Sequence, residues 1–549
     1  MKKALFLTVL LAFSLGSKAQ SVQFTSSELP IVVITTGGKA IMDEPKVMVN
    51  MGIIYNGPGA KNNITDPFNN YNGKVGIEVR GSSSQSFPKK QYGIELWNSA
   101  GQDIKQSLLG LPEEGDWILF APYNDKSLMR DVLAYNLTRA MGRYASRSRY
   151  VELVIDGDYK GVYVLLEKVK RSEARVDIAD LDPDENSGDD LTGGYIVKLD
   201  KATGGNGSEG FQSAFFPPNR SGNQTIYFQY EYPKSAEMTP QQKKYISDFM
   251  AGFETALSGP NWRDPEGGYA KYINISSFID YFIMNELSKN VDGYRLSTFI
   301  HKEKDSDGGR LHMGPVWDFN LGFGNANYCT NTSPTGFVTE FNKVCPGDFW
   351  LIPFWWNKLW LDPDYRALLY SRWSTLRQGP FENSKVLGYV DSVASVLNKG
   401  AQQRNFQKWP VLGKYVWPNP PDYVNLLTFD SEVAWLKNWI TFRLAWLDAM
   451  LEYVISGVED NDAAGFSIRP YPNPVDDDLS FEYSISEPGQ VSILLYDVLG
   501  REAGRIEESH GEAGTFTASS SLKQFASGLY LYQMRFNGKS VQGGRLSKN

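Results

Sequence analysis

Two short acidic blocks carry the chemistry of this chain: Asn290-Val291-Asp292-Gly293 and Gly314-Pro315-Val316-Trp317-Asp318-Phe319-Asn320. Their spacing suits one strand-turn-strand unit with Asp292 and Asp318 at its two ends, so strand pairing brings both carboxylates to the same mouth. Such a pair suits phosphoryl transfer. Asp292 orients or deprotonates an acceptor hydroxyl, and Asp318, a hard oxygen donor, holds a magnesium ion on the phosphates. Trp317 can stack on an adenine, and Asn320 offers the metal an uncharged carbonyl oxygen. Upstream, the small turn from Gly81 to Ser84, with Ser82 in it, lets backbone N–H groups approach phosphate oxygens closely. Arg80 precedes that turn and can grip a phosphate or a carboxylate bidentately. Of the consecutive Lys89 and Lys90 only one can face a cleft, and Lys90, on the same face as Tyr92 and Ile94, is the expected cation. Glu167 is expected to hold that lysine in place by an ion pair.

Those residues need a scaffold. Alternating apolar runs, Ile31 to Thr36 and Lys46 to Tyr55, broken by Gly, Pro and Asn, predict a β-rich opening region. Val75 to Arg80 and Lys89 to Trp97 predict one hairpin. Tyr150 to Ile155 and Gly161 to Glu167 predict another around Asp156-Gly157-Asp158. Between them Ser127 to Leu137 shows helical spacing with Ser127 as its cap; Asp125 and Arg130 flank that helix start, where a structural role suits them. An apolar helix from Phe278 to Leu287 leads into Asp292. Strands around one helix, then a longer helical half from about Thr239, describe an α+β body over 24–451, β-rich to about 235 and mainly helical beyond. An acidic linker, 452–467, separates it from an all-β pattern over 468–549. Strands at Phe481 to Ile485, Val491 to Tyr496, Phe516 to Ser519 and Gly528 to Met534 predict a small sandwich there.

Met1-Lys2-Lys3, the apolar run Ala4 to Leu15 and Ser17-Lys18-Ala19 form a secretory signal peptide, 1–19. No later stretch reaches the roughly 18 uninterrupted apolar residues of a membrane span. In an oxidising compartment the two cysteines, Cys329 and Cys345, are expected to pair. The length of 549 residues exceeds one core, and 42% apolar residues with 14 Trp, 30 Tyr and 30 Phe indicate a globular chain. A net charge of −8 argues against a nucleic-acid partner. With 3 His in the chain, a zinc helix or serine triad has few possible members. Paired acids would also suit a glycosidase, a loose fit that any large acidic chain offers.

The body resembles the CotH family of secreted and spore-coat protein kinases. The resemblance rests on Arg80-Gly81-Ser82-Ser83-Ser84 with Phe87-Pro88-Lys89-Lys90, Asn124-Asp125-Lys126-Ser127-Leu128-Met129-Arg130, Gly161-Val162-Tyr163 with Glu167-Lys168, Asn290-Val291-Asp292, and Trp317-Asp318-Phe319-Asn320 with Phe323-Gly324. It implies a divergent, two-lobed protein-kinase-like fold that uses ATP with Mg2+ or Mn2+ and phosphorylates a protein acceptor. Two departures weaken one metal site: Asn320 stands where a second Asp is common, and Arg295-Leu296-Ser297 lacks an Asn often found there. The tail resembles the sorting domain of the Bacteroidetes type IX secretion system, through Tyr471-Pro472-Asn473-Pro474, Tyr496-Asp497-Val498-Leu499-Gly500-Arg501 and Ser527-Gly528-Leu529-Tyr530. That implies passage through the periplasm, recognition by the outer-membrane export machinery, and release or attachment at the cell surface. Because ATP is scarce outside a cell, the competing expectation is a non-catalytic surface protein that binds glycan or protein on a kinase-like fold.

Overall fold

The computed structural model describes residues 22–201, 209–455, 466–496 and 502–549. The expected signal peptide, the acidic centre of the expected linker and Asp497 to Arg501 of the tail lie outside the described residues. The architecture is α+β with a C-terminal β-sandwich. The chain divides into two compact units. One holds the described residues up to Ala121 with Arg149–Leu165 and Val396–Leu412; the other holds Pro122–Ser148, Leu166–Ser395 and Gly413–Asn549.

In the first unit the strands Ile31–Thr35, Val47–Ile54, Tyr71–Arg80, Gln91–Trp97, Asp116–Phe120, Asp158–Glu167 and Ser148–Ile155 close into a barrel in that order. Period-two patterning makes its core: Val49, Met51 and Ile53, Val75 and Ile77, Ile94 and Leu96, and Leu153 and Ile155 all point into one apolar cluster. Both predicted hairpins are present. Arg80 pairs with Gln91, and Asp156 (φ 48°) with Gly157 (φ 78°) makes the tight turn that Asp-Gly favours. Closure is the part that the sequence did not predict. It needs Ile31–Thr35 to pair in parallel with Ser148–Ile155, Ile31 opposite Glu152, and no local signal announces that partner. The helix Ala401–Lys408 belongs to the same unit. Arg404 Nε donates to Glu152 Oε1 (3.1 Å), and Gly161 (φ 104°) is needed because a Cβ there would lie 2.7 Å from Asn405 Oδ1.

The second unit is built on the helix Ile275–Ser288, which Asn274 caps by accepting the Ser277 N–H (2.9 Å). It is buried on every side from Ser277 to Ser288, as a central helix is, and packs against Arg130–Ala140, Pro363–Arg377 and Phe429–Ile455. Five antiparallel strands form a sheet in the order Gly210–Gln212, Tyr227–Tyr232, Tyr195–Leu199, Thr298–Lys302, Leu311–Met313. The helix Arg130–Ala140 starts later than expected and Ser127 does not cap it: the Asp125 carboxylate takes the Arg130 N–H (2.8 Å) and the Arg130 guanidinium. Cys329 and Cys345 are joined, with Cα atoms 5.8 Å apart. No described helix is long and apolar enough to cross a membrane.

Glu254, on the helix Pro240–Ser258, is 2% exposed, and its oxygens accept from Ser213 Oγ (2.7 Å) and Trp355 Nε1 (2.9 Å). Burial pushes its carboxyl up to about 7. The folded state therefore binds the proton more tightly than the unfolded chain, and stability is lost as pH rises from the ordinary 4.5 towards 7. Glu254→Gln is expected to leave the melting temperature unchanged near pH 4 and to raise it at pH 8, by on the order of 3 kcal/mol of stability. Equal shifts at both pH values in thermal melts would refute this.

In the tail the three-stranded sheet Ser467–Tyr471, Asp478–Ile485, Gly514–Ser521 and the four-stranded sheet Glu502–His510, Gly489–Tyr496, Gly528–Phe536, Lys539–Lys548 share one core, with Phe481, Tyr483, Ile493 and Met534 at its centre. The sequence predicted four of these strands. The three it missed, Ser467–Tyr471, Glu502–His510 and Lys539–Lys548, are polar or lie at sheet edges and alternate weakly. Asn473 of the Tyr-Pro-Asn-Pro block accepts the Ser547 N–H (2.9 Å), and Val475 N donates to Ser547 O (2.8 Å), so this block ties the start of the tail to its last strand.

Candidate functional site

The helix Ile275–Ser288 ends at Lys289, which takes the left-handed conformation (φ 45°) and turns the chain into the first acidic block. Lys289 Nζ is buried and donates to the carbonyls of Thr330 (2.7 Å), Ser333 (2.9 Å) and Thr335 (2.5 Å), inside the loop that the disulfide closes. Gly293 is required by close packing: a Cβ there would sit 2.4 Å from Asn285 Oδ1. Asp292 is partly exposed at 16%, and its Oδ1 accepts from Arg295 Nη2 (2.7 Å). Arg295 is 2% exposed and fixed in turn by Val291 O (2.9 Å), Trp350 O (3.1 Å), Asp348 Oδ1 (3.1 Å) and the Phe341 ring (4.0 Å). Asp292 is thus held by a rigid cation while remaining open to solvent. Sequence reasoning noted Arg295 as a departure without giving it this role.

The second block follows Leu311–Met313. That strand pairs antiparallel with Thr298–Lys302, so residues before Thr298 and after Met313 emerge at the same end of the hairpin. Asn290 Nδ2 donates to Asp318 O (3.5 Å), joining the two blocks directly. Tyr328 reports both acids: burial raises its phenol, and the Asp292, Asp348 and Asp318 charges raise it further. Asp318 sits in the left-handed region (φ 60°) and is braced from the helix Arg130–Ala140. Its N–H donates to Tyr135 Oη (3.2 Å), Tyr135 donates to Asp131 Oδ1 (3.2 Å), and Phe319 N donates to the same oxygen (2.6 Å). Asn320 Nδ2 donates to Asp318 Oδ1 (2.9 Å), and Asn325 Nδ2 to Asn320 O (2.8 Å). Trp317 stacks on Tyr135, centroids 5.9 Å apart at 17°, and packs against the cluster of Val169, Ile178 and Phe299, so one face of its indole is taken by the protein.

Sequence reasoning missed Asp131. The signal was present, since Asp131 and Tyr135 stand four apart on a helical pattern and share a face. Burial first, and the Asp318 charge next, hold the Asp131 carboxyl well above the usual carboxylate range. Its Oδ2 is buried with no hydrogen-bond partner, an orphaned hard donor beside a second carboxylate, and this arrangement fits a divalent cation. Beside this cluster lies a cavity of about 230 Å³ whose lining includes Tyr144, Asp280, His301, His312 and Pro315. Burial drops His301 to about 3 and His312 to about 4, so both rings stay neutral at physiological pH.

The remaining candidates fall into their own units. In the barrel unit, Gly81 (φ 111°) opens the short helix Ser83–Ser86, and Gly81 and Ser82 are exposed at the end of the strand that carries Arg80. Lys89, not Lys90, is the buried lysine. Its Nζ donates to Val162 O (2.6 Å) and Asn405 Oδ1 (2.9 Å), while Lys90 Nζ turns back to Gln85 O (2.5 Å). In the second unit Glu167 is fully buried, and Arg147 and Tyr144 occupy its oxygens, Arg147 Nη2 at 2.8 Å. The expected lysine partner is therefore replaced by Arg147, which comes from the turn just before the strand that pairs with Glu167's own.

No curated protein matches this sequence significantly. Among solved structures, the alkylpurine DNA glycosylase AlkC of Pseudomonas fluorescens bound to DNA containing an abasic site analog aligns over 36% of this chain, at 12% identity and a TM-score of 0.13. The alignment spans 55% of that protein's length, and a similarity at this level carries no argument about fold or function. Residues 469–545 match the secretion system C-terminal sorting domain, which points to type IX export and to secretion or the cell surface. Residues 77–447, the greater part of the chain and all of the blocks described above apart from the tail, match the CotH kinase protein model, and the chain belongs to that family.

Proposed function

We propose that the protein is a secreted or cell-surface phosphotransferase with a divergent, two-lobed kinase-like body. On this reading it moves the γ-phosphate of ATP to a hydroxyl of a protein acceptor. The observation that carries it is the joining of the two acidic blocks at one end of a hairpin, where Asn290 Nδ2 donates to Asp318 O (3.5 Å). Asp292 accepts the proton of the acceptor hydroxyl as its oxygen bonds the γ-phosphorus and the bond to the bridging oxygen of ADP breaks. Arg295 fixes the orientation of Asp292. Asp318, with Asn320, would hold a Mg2+ or Mn2+ ion, which neutralises charge on the phosphates when bound. Arg80, Ser82 and Lys90 are the proposed phosphate contacts on the barrel unit, and Trp317 is the proposed adenine contact on the other, while Glu167, buried against Arg147, keeps a structural role.

A surface-binding role is the second reading. It is favoured by the half-exposed Tyr415 and Trp417, the latter stacked on Tyr328 with centroids 6.4 Å apart.

The test is transfer of labelled γ-phosphate from ATP to the chain itself and to a generic acidic protein. Incorporation is expected with Mg2+ or Mn2+ and is expected to stop on chelation with EDTA. No incorporation, together with no thermal shift from ATP plus metal, would discard phosphotransfer in favour of surface binding.

A further inference from the structure

We propose that Asp131 is a metal ligand as well as a brace, forming with Asp318 a two-carboxylate site for one Mg2+ or Mn2+ ion. The reasoning starts from its two oxygens. Oδ1 is fully used, accepting from Phe319 N (2.6 Å) and Tyr135 Oη (3.2 Å). Oδ2 is buried, on a residue 2% exposed, and has no hydrogen-bond partner. Buried carboxylate oxygens are almost always satisfied, and leaving one bare costs far more than a missing neutral bond. The Asp318 block lies directly against it, since Asp318 N donates to Tyr135 Oη (3.2 Å) and Phe319 N to Asp131 Oδ1 (2.6 Å), and a second carboxylate there makes the arrangement worse without a cation.

Asp131 lies in the first turn of the helix Arg130–Ala140, where the helix dipole favours an anion but gives Oδ2 no donor. A divalent ion held by Oδ2 and the Asp318 carboxylate would give the orphaned oxygen a partner and offset the two negative charges. The available donors are oxygens, two carboxylates and the Asn320 amide, which suits Mg2+ or Mn2+ better than zinc or copper. Among the described residues no group of three or more His, Cys, Asp or Glu could hold a metal. An ion here therefore rests on two carboxylates and fills its other positions from water or phosphate oxygens, as magnesium ordinarily does. Asp131 thereby supplies the charge that Asn320, in place of an acid, does not. The chain brings that charge from a different element, the helix start, rather than from the Trp-Asp-Phe-Asn block itself.

The choice of ion rests on the phosphotransfer reading, so the test uses binding and not turnover. Mn2+ is titrated into the mature full-length chain without nucleotide, and free Mn2+ is followed by its EPR signal. Asp131→Asn keeps the shape and the Oδ1 acceptor for Phe319 and removes only the charge. It is expected to weaken Mn2+ binding at least tenfold, whereas Asp422→Asn, an exposed acid elsewhere, should stay within about twofold of the parent. Equal affinity in Asp131→Asn and the parent, or no binding by the parent at millimolar Mn2+, would overturn the assignment and leave Asp131 as a brace. Should Asp131→Asn not fold, anomalous scattering from Mn2+-soaked crystals of the parent decides. An ion coordinated by both Asp131 and Asp318 supports the proposal, and one held by Asp318 alone refutes it. Phosphate transfer with the ion on Asp318 alone would sink only this proposal. An ion on both acids without transfer would sink only the phosphotransferase reading.

Discussion

Asp292→Asn is expected to lower phosphate transfer by roughly 10²- to 10⁴-fold while leaving ATP and Mn2+ binding unchanged, the range for loss of a positioned general base. The asparagine variant is preferable to alanine because of Arg295. That guanidinium is nearly inaccessible and donates to Asp292 Oδ1 at 2.7 Å, a bond that an asparagine oxygen still accepts. Alanine would withdraw a partner from a buried cation and mix a structural defect with the chemical one. Asn keeps the loop geometry and removes the proton acceptor. Single-turnover transfer under saturating ATP and metal separates chemistry from binding. A variant that transfers within about threefold of the parent would show that Asp292 only anchors Arg295, and that another group orients the acceptor.

The sequence made local pairings legible and left distant ones hidden. The Gly81 to Ser84 turn, the Asp156-Gly157 turn and the helix into Asp292 all lie within spans where period and turn chemistry speak for themselves. The joining of the two acidic blocks was readable for the same reason, since a single hairpin connects them and Asn290 reaches Asp318 O. Barrel closure was not, because Ile31 meets Glu152 across a long intervening stretch. The same limit applies to side-chain partners. Glu167 looked free to hold a lysine, yet Arg147 reaches it by strand pairing of the following residues. Of the adjacent lysines, alternation chose Lys90, but the strand starts only at Gln91. Lys89 instead enters the interior, where the helix Ala401–Lys408 offers Asn405. Asp125 and Arg130 were read as structural, and their buried ion pair is of that kind. Their neighbour Asp131 was passed over because its partners come from the Asp318 block.

Arg443→Met is expected to destabilise the second unit by about 3 to 5 kcal/mol, the usual cost of leaving one member of a buried ion pair alone. Arg443 is fully buried. It gives Nη2 to Glu286 Oε2 (3.2 Å), Nε to Glu286 O (2.7 Å) and Nη1 to the carbonyls of Pro334 and Gly336 (both 2.8 Å). Glu286, on the last turns of the helix that delivers Asp292, also accepts from Tyr294 Oη (3.0 Å), Val338 N (2.8 Å) and Thr339 N (3.2 Å). One ion pair thus pins the loop that the disulfide closes to the helix end, and Lys289 pins the same loop from the next residues. Methionine fills much of the arginine's volume but cannot donate, so four acceptors lose their donor at once. Burial already raises the Glu286 carboxyl, and Arg443 opposes that rise. Without Arg443 the folded state binds the proton more tightly still. The deficit should grow as pH rises above the ordinary 4.5 and shrink on acidification. Adding Glu286→Gln should recover part of the loss at pH 8, because no charge then remains stranded. Denaturant unfolding of the single and double variants at pH 5 and pH 8 checks each step. A single-variant cost below about 1 kcal/mol at pH 8, or a double variant no better than the single, would mean that the Glu286–Arg443 pair does not hold the disulfide-closed loop against the helix end.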